Sequence, residues 1–138
     1  MPEVTTSDYG EATHARFTPE AVFRALADAT RLRCLLLIAT NHELCVCELV
    51  HALDLSQPKI SRHLKLLRDS GLVADRREKI WVYYRIAPEL PDWVATVIQV
   101  TVESNARKAP FAADARRLSA MPDRPGDRCP EYHPTESS

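Results

Sequence analysis

Apolar residues recur along this chain with two different periods, and the position where the period changes separates helical from strand segments. Thr18-Pro19-Glu20 reads as a helix start, with threonine as cap, proline at the first helical position and a carboxylate beside it. Val22, Phe23 and Leu26 give this helix one apolar side, up to about Ala27. Asp28 or Thr30 then caps a second helix, ATRLRCLLLIAT. Leu32, Leu35, Leu36 and Ala39 share one of its faces and Cys34, Leu37 and Ile38 occupy the other, as in a helix buried between layers. Asn41-His42 breaks it.

A short helix is predicted from about Val46 to Leu53, then a turn at Asp54-Leu55-Ser56. Ser56 caps a longer helix, QPKISRHLKLLRDSG, which tolerates Pro58 in its first turn and ends at Gly71. Ile60, Leu64 and Leu67 form its buried stripe, and Leu66 falls off that stripe. After Gly71 the period becomes two: LVADRR and WVYYRI read as paired strands around a charged turn at Glu78-Lys79. PDWVATVIQVTVESNARK follows. Its β-branched residues favour a strand, but its length and Pro91-Asp92 start favour a helix with two apolar faces. Trp93, Val97 and Val100 lie on one, and Val94, Ile98 and Thr101 on the other.

Residues 1–16 are polar and patternless, and 121–138 carry four prolines and a glycine; both ends are expected to be flexible. One domain over 17–120 lies between them. It is mainly α with a small β-hairpin. The chain has no apolar run long enough to cross a bilayer and no secretory signal at its N-terminus, so a cytoplasmic location is expected. In reducing surroundings Cys34, Cys45, Cys47 and Cys129 are better read as buried residues or ligands than as a disulfide framework.

A net charge of −1 conceals an asymmetry. Between Ser56 and Ile86 stand eight basic residues against three acidic ones, within an otherwise acidic chain. A local basic field of this kind suits a polyanion, because charges are screened beyond roughly 8–10 Å. The order of elements is that of a winged helix-turn-helix: short helix, four-residue turn, basic amphipathic helix, charged hairpin. On the helix, Lys59, Arg62 and Lys65 suit phosphates or guanine, and Ser56, Gln57 and Ser61 suit caps and base edges. Arg76, Arg77 and Lys79 on the hairpin face the neighbouring DNA backbone or minor groove in this reading. The expected partner is double-stranded DNA.

The stretches LADATRLRCLLLI, ELCVCEL, ALDLSQPKISRHLKLLRDSGLV and WVYYRI resemble the ArsR/SmtB family of metal-sensing repressors, and within it the arsenic-responsive members. The resemblance runs from Phe17 to Val102. It implies a homodimer joined through the first and last helices. It also implies a repressor that leaves a palindromic operator when As(III) or Sb(III) binds as inducer.

Cys45 and Cys47 stand at the start of the first helix of the DNA-binding pair, among His42, Glu43 and Glu48. A helix N-terminus favours the thiolate, the form that binds soft ions. In a regular helix, residues i and i+2 point about 200° apart, so two sulfurs could share an ion only if the first turn unwound. That distortion would reach the recognition helix. The resemblance departs at Val50, where many relatives carry a third cysteine, leaving Cys34, Cys129 or solvent as third ligand. His51 could favour a divalent ion instead. Asp92 and Glu103 are the only candidates for a last-helix zinc site, with no histidine between them. A thiol redox sensor is the alternative. An enzyme is disfavoured, because no phosphate loop, nucleophile–base set or cofactor fingerprint occurs.

Overall fold

The computed structural model describes residues 17–124. Helix α1 (Pro19–Leu26) begins where Thr18 Oγ1 accepts from the Ala21 N–H at 3.1 Å. Helix α2 (Ala29–Asn41) begins at Asp28, whose Oδ2 accepts from the Arg31 N–H at 3.0 Å; of the two candidate caps, Asp28 is the one used. A two-residue strand β1 (Leu44–Cys45) leads into α3 (Val46–Leu53). After the turn, α4 (Gln57–Asp69) is capped by Ser56, and Gly71 at φ 88° provides the left-handed exit that a β-carbon disfavours. Strands β2 (Val73–Glu78) and β3 (Trp81–Ile86) form the hairpin, turning at Lys79-Ile80. Helices α5 (Asp92–Asn105) and α6 (Phe111–Ser119) complete the order.

The core is built as the periodicity predicts. α2 is buried on both sides through Cys34, Leu35, Leu36, Leu37 and Ile38. Ile60, Leu64 and Leu67 of α4 are fully buried, each stabilising the fold by about 1.5–3 kcal/mol. Leu66, off the stripe, is exposed, and His63 joins the buried face instead. Segment 92–105 is a helix, as its length indicates.

Three features differ from the sequence reading. First, the sheet has three strands in the order β1-β3-β2, all antiparallel, because Leu44 pairs with Tyr84 and Cys45 with Tyr83. Two residues are too few to show a period, so this strand left no pattern. Second, α5 is not the last helix. α6 follows it and packs against α3 and α2, with Leu118 buried. Its signal was present as Phe111, Ala115 and Leu118 at helical spacing after Pro110. Third, packing continues past Ala120: Met121 rests on the core and Arg124 pairs with Glu48. Residues 1–16 and 125–138, expected to be flexible, lie outside the described residues.

Candidate thiol sensor and nucleic-acid interface

The C-x-C pair sits where β1 becomes α3. Cys45 is the cap residue, with extended backbone (φ −91°, ψ 168°), and Cys47 lies in the first turn of the helix. Because Cys45 is not helical, the 200° argument does not apply to it. The two sulfurs are 2.8 Å apart with α3 fully wound, so the expectation that the helix must first unwind is corrected. Cys45 is buried against Trp81 and Tyr83 of β3, and Cys47, half-exposed, packs onto the same cluster.

The two thiols are electrostatically unlike. A hydrogen bond from the Cys45 thiol, aided by the backbone N–H groups of Cys47 and Glu48, holds the Cys47 pKa below the ordinary thiol value. The same shared proton, together with burial, pushes Cys45 up. Cys47 is therefore the more acidic thiol of the pair, and it is also the more accessible one.

Glu48 completes the local frame. It is fully buried; its Oε1 accepts from the Cys45 N–H at 2.8 Å, and its Oε2 accepts from Arg124 Nε at 2.8 Å. Glutamate three residues after a helix cap is a sequence signal for the first of these contacts. Nothing local in the sequence signals the second. Beside the pair, Glu43 receives Arg76 from β2 through two hydrogen bonds, at 2.7 and 2.8 Å.

The other candidate ligands are placed apart or differently employed. Cys34 is fully buried in α2, and desolvation pushes its pKa up to about 12. Cys129 lies outside the described residues. His51 is exposed at the far end of α3. Asp92 and Glu103 stand eleven residues apart on one helix, roughly 16 Å by the helical rise, and Glu103 accepts from Gln99 at 2.6 Å. Among the described residues, no group of three or more His, Cys, Asp and Glu side chains is arranged to hold a metal ion.

On α4, Ser56, Gln57, Arg62 and Lys65 are exposed, and Lys59 and Ser61 are half-buried. Ser56 Oγ is occupied in accepting from the Lys59 N–H at 3.3 Å, which makes it a cap first. Lys65 pairs with Asp69 at 2.8 Å, an exposed contact that a phosphate could replace. Arg77 and Lys79 project from the hairpin. Arg76 does not share their freedom: Glu43 and Glu78 hold its guanidinium, which also lies 4.5 Å from the centroid of the Tyr83 ring.

A three-stranded sheet whose hairpin flanks a basic helix, braced by a shorter one, defines a winged helix-turn-helix DNA-binding protein. Residues 28–75 match the bacterial regulatory protein, arsR family. The chain is 55% identical over 108 residues to the arsenic resistance transcriptional regulator ArsR1 of Pseudomonas putida, covering 78% of this chain and 83% of that one. It is 56% identical over 80 residues to the arsenical resistance operon repressor of Escherichia coli, 58% of this chain and 68% of that one. Among solved structures it resembles reduced HlyU from Vibrio cholerae, with TM-score 0.57 and 31% identity over 70% of this chain and 96% of that one. It also resembles the homodimeric winged helix-turn-helix domain Mb0332 of Mycobacterium bovis (TM-score 0.54, 31% identity, 76% and 93% coverage). The AntR antimony-specific repressor is a further neighbour (TM-score 0.54, 25% identity, 75% and 85% coverage). This chain belongs to the arsR family of bacterial transcriptional regulators. Its relatives are DNA-binding regulators rather than enzymes, and no helix among the described residues is long and apolar enough to cross a membrane.

Proposed function

We propose that the protein is a homodimeric repressor of arsenical resistance that leaves a palindromic operator when trivalent arsenic or antimony is held by Cys45 and Cys47. The carrying observation is the 2.8 Å contact between the two sulfurs, with the lowered pKa on the accessible one. Two soft donors already side by side fit a thiophilic metalloid, which such a pair binds through sulfur. The names of the arsenic-resistance relatives and of the antimony-specific neighbour support the same ligand class.

Recognition falls to Gln57, Lys59, Ser61, Arg62 and Lys65 of α4, with Ser56 setting the start of that helix and Arg77 and Lys79 on the hairpin. Arg76 acts instead between the hairpin and the thiol segment. The dimer seam is assigned to α1 and α5, where Phe23 and Val100 are exposed and Phe23 and Trp93 lie 6.3 Å apart. Two recognition helices then meet half-sites roughly 34 Å apart.

Coupling runs through two routes that both begin at Cys45. One is the backbone pairing of Cys45 with Tyr83, which connects the pair to the hairpin. The other is α3, which packs on α4. An inducer shifts the equilibrium only by favouring the weakly DNA-binding arrangement, and sulfurs drawn into a new geometry would disfavour the present one.

A thiol redox reading is favoured by the same contact. Oxidation by a peroxide would join the sulfurs as a disulfide, releasing two protons and two electrons while the peroxide is reduced to water. Operator release against As(III), Sb(III), Cd(II), Zn(II) and hydrogen peroxide separates the two. Release by As(III) or Sb(III) at concentrations where the other agents do nothing supports the proposal. Release by peroxide alone replaces it with the redox reading.

A further inference from the structure

We propose that Arg76 is a positioning residue that opposes inducer binding: it locks the segment carrying Cys45 to the hairpin, and a metalloid on the two thiols must break this lock before the operator is released. The proposal rests on Cys45 and Cys47 being the metalloid site. It gives a role to a hairpin cation whose charge is already matched by carboxylates.

The strand register sets the three residues side by side. In the order β1-β3-β2, Cys45 pairs with Tyr83 and Tyr83 pairs with Arg76, so they form one row across the sheet. Residues directly opposite each other in a sheet share a face. Cys45 is accordingly buried against Tyr83 and Trp81, and the Arg76 guanidinium lies 4.5 Å from the centroid of the Tyr83 ring. From there Arg76 reaches Glu43, two residues before Cys45, with Nε at 2.7 Å and Nη2 at 2.8 Å. Its Nη1 donates to Glu78 within its own strand at 2.7 Å. Arg76 is thus rooted in β2, rests on a ring of β3 and grips the approach to β1. A bidentate grip of this kind is the geometry in which an exposed ion pair contributes measurably.

The chemistry at the thiols works against that grip. Arsenous acid and two thiols exchange two As–O bonds for two S–As bonds. Each thiol proton leaves with a hydroxide as water, and no oxidation state changes. Both sulfurs thereby lose the shared proton that holds them at 2.8 Å. Their separation is then set by two bonds to one pyramidal arsenic, and the pair widens. Widening at Cys45 presses on the Tyr83 ring and shifts the segment that Glu43 begins, and Arg76 resists both movements. By alternation along β2, Arg77 falls on the face opposite Arg76, so a shift of the strand moves a residue assigned to DNA. A contact present only in the operator-binding arrangement lowers the apparent affinity for an inducer that selects the other arrangement. Removing Arg76 therefore makes the inducer bind more tightly, which loss of a DNA contact or of a sulfur would not do.

The test uses the full chain with sodium arsenite as the probe. In Arg76→Ala, half-protection of the thiols without DNA should need roughly three- to tenfold less arsenite. Operator affinity without arsenite should fall by no more than about twofold, because the operator-binding arrangement still dominates. Glu43→Gln, which keeps the shape and loses the charge, should shift arsenite affinity in the same direction. The double variant should go no further than Arg76→Ala alone, since the two residues act as one unit. Arg76→Lys keeps the charge without the bidentate grip and should fall between. If Arg76→Ala does not fold, Glu43→Gln and Arg76→Lys carry the same comparison. Unchanged or weaker arsenite binding in these variants overturns the proposal, as do additive shifts in the double variant. If Cys45→Ser and Cys47→Ser respond normally to arsenite, the underlying site assignment fails. That result is read on the cysteine variants and is distinct from failure at Arg76.

Discussion

Arg76 grips the Glu43 carboxylate through both Nε and Nη2, joining the hairpin to the residue that precedes the thiol strand. The sequence places Arg76 in a run of cations that looks made for DNA, yet its charge is already matched by two carboxylates. Arg76→Ala should therefore leave the salt dependence of operator binding almost unchanged. Arg62→Ala, which removes an exposed cation from α4, should lower the salt slope by about one. Because the Arg76 pairs are themselves exposed, its loss should cost no more than about 1 kcal/mol of stability. Operator titrations at several salt concentrations distinguish the two variants. A full unit of slope lost in Arg76→Ala would return it to the DNA face.

If Cys45 and Cys47 form the proposed sensor, the position of the sulfurs separates sensing from DNA binding. Neither Cys45 nor Cys47 is on α4 or on the exposed side of the hairpin. Cys45→Ser and Cys47→Ser should each keep operator affinity and lose release by arsenite, since serine keeps the size and loses the soft thiolate. Normal release in either variant removes that residue from the sensor.

What could be read in advance divides by the distance over which each feature is encoded. Caps, the α4 stripe and the hairpin depend on residues within one or two turns of each other, and Thr18, Ser56, Ile60 and Leu64 act as their spacing indicates. The position of Cys45 depends on pairing with Tyr83, 38 residues away, and is set by tertiary contact. Arg124 and Glu48 are separated by 76 residues, and neither has a local pattern that names the other. The thiol pair was visible as C-x-C. Its geometry was not, because the helical period stops at Val46 and the extended conformation of Cys45 is set by its pairing with β3.

A pH dependence follows from His63, buried on the inner face of α4. Arg31 Nη1 lies 3.3 Å from its Nδ1, so that nitrogen accepts and the neutral ring is the form that fits. Burial lowers its pKa first; Asp28 opposes this, while Arg62, Arg31 and Lys59 add to it. With the folded pKa below the unfolded value of about 6.5, the unfolded chain binds the proton more readily. The stability linked to His63 is thus complete above that value and is lost as pH falls below it and through the lower folded pKa. Melting temperatures between pH 8 and 5.5 should fall toward acid, and His63→Gln, which keeps an acceptor, should flatten that slope. An unchanged slope in the variant would assign the acid sensitivity to other groups.

Asp114 gives the last and largest expected effect. Its carboxylate, 1% exposed, receives Arg33 at 2.9 and 2.7 Å and Arg117 at 2.8 Å. Both arginines also donate to the end of α3: Arg33 to the Leu53 carbonyl at 3.1 Å and Arg117 to the Ala52 carbonyl at 2.6 Å. The last carbonyls of a helix lack partners within it, so Asp114 orients two cations onto groups that need them. Asp114→Ala would strand Arg33, which is mostly enclosed, and free Arg117, which is 41% exposed and can turn to water. Breaking a buried pair by removing one partner costs about 3–5 kcal/mol, and the exposure of Arg117 places the expectation near the lower end. Asp114→Asn, which keeps an acceptor but not the charge, should cost less. Because the thiols lie at the opposite end of α3, the asparagine variant should retain thiol protection by arsenite while melting earlier. A chemical denaturation series on both variants checks the ordering. If Asp114→Ala is as stable as the unaltered chain, α6 is not held to α3 by this network.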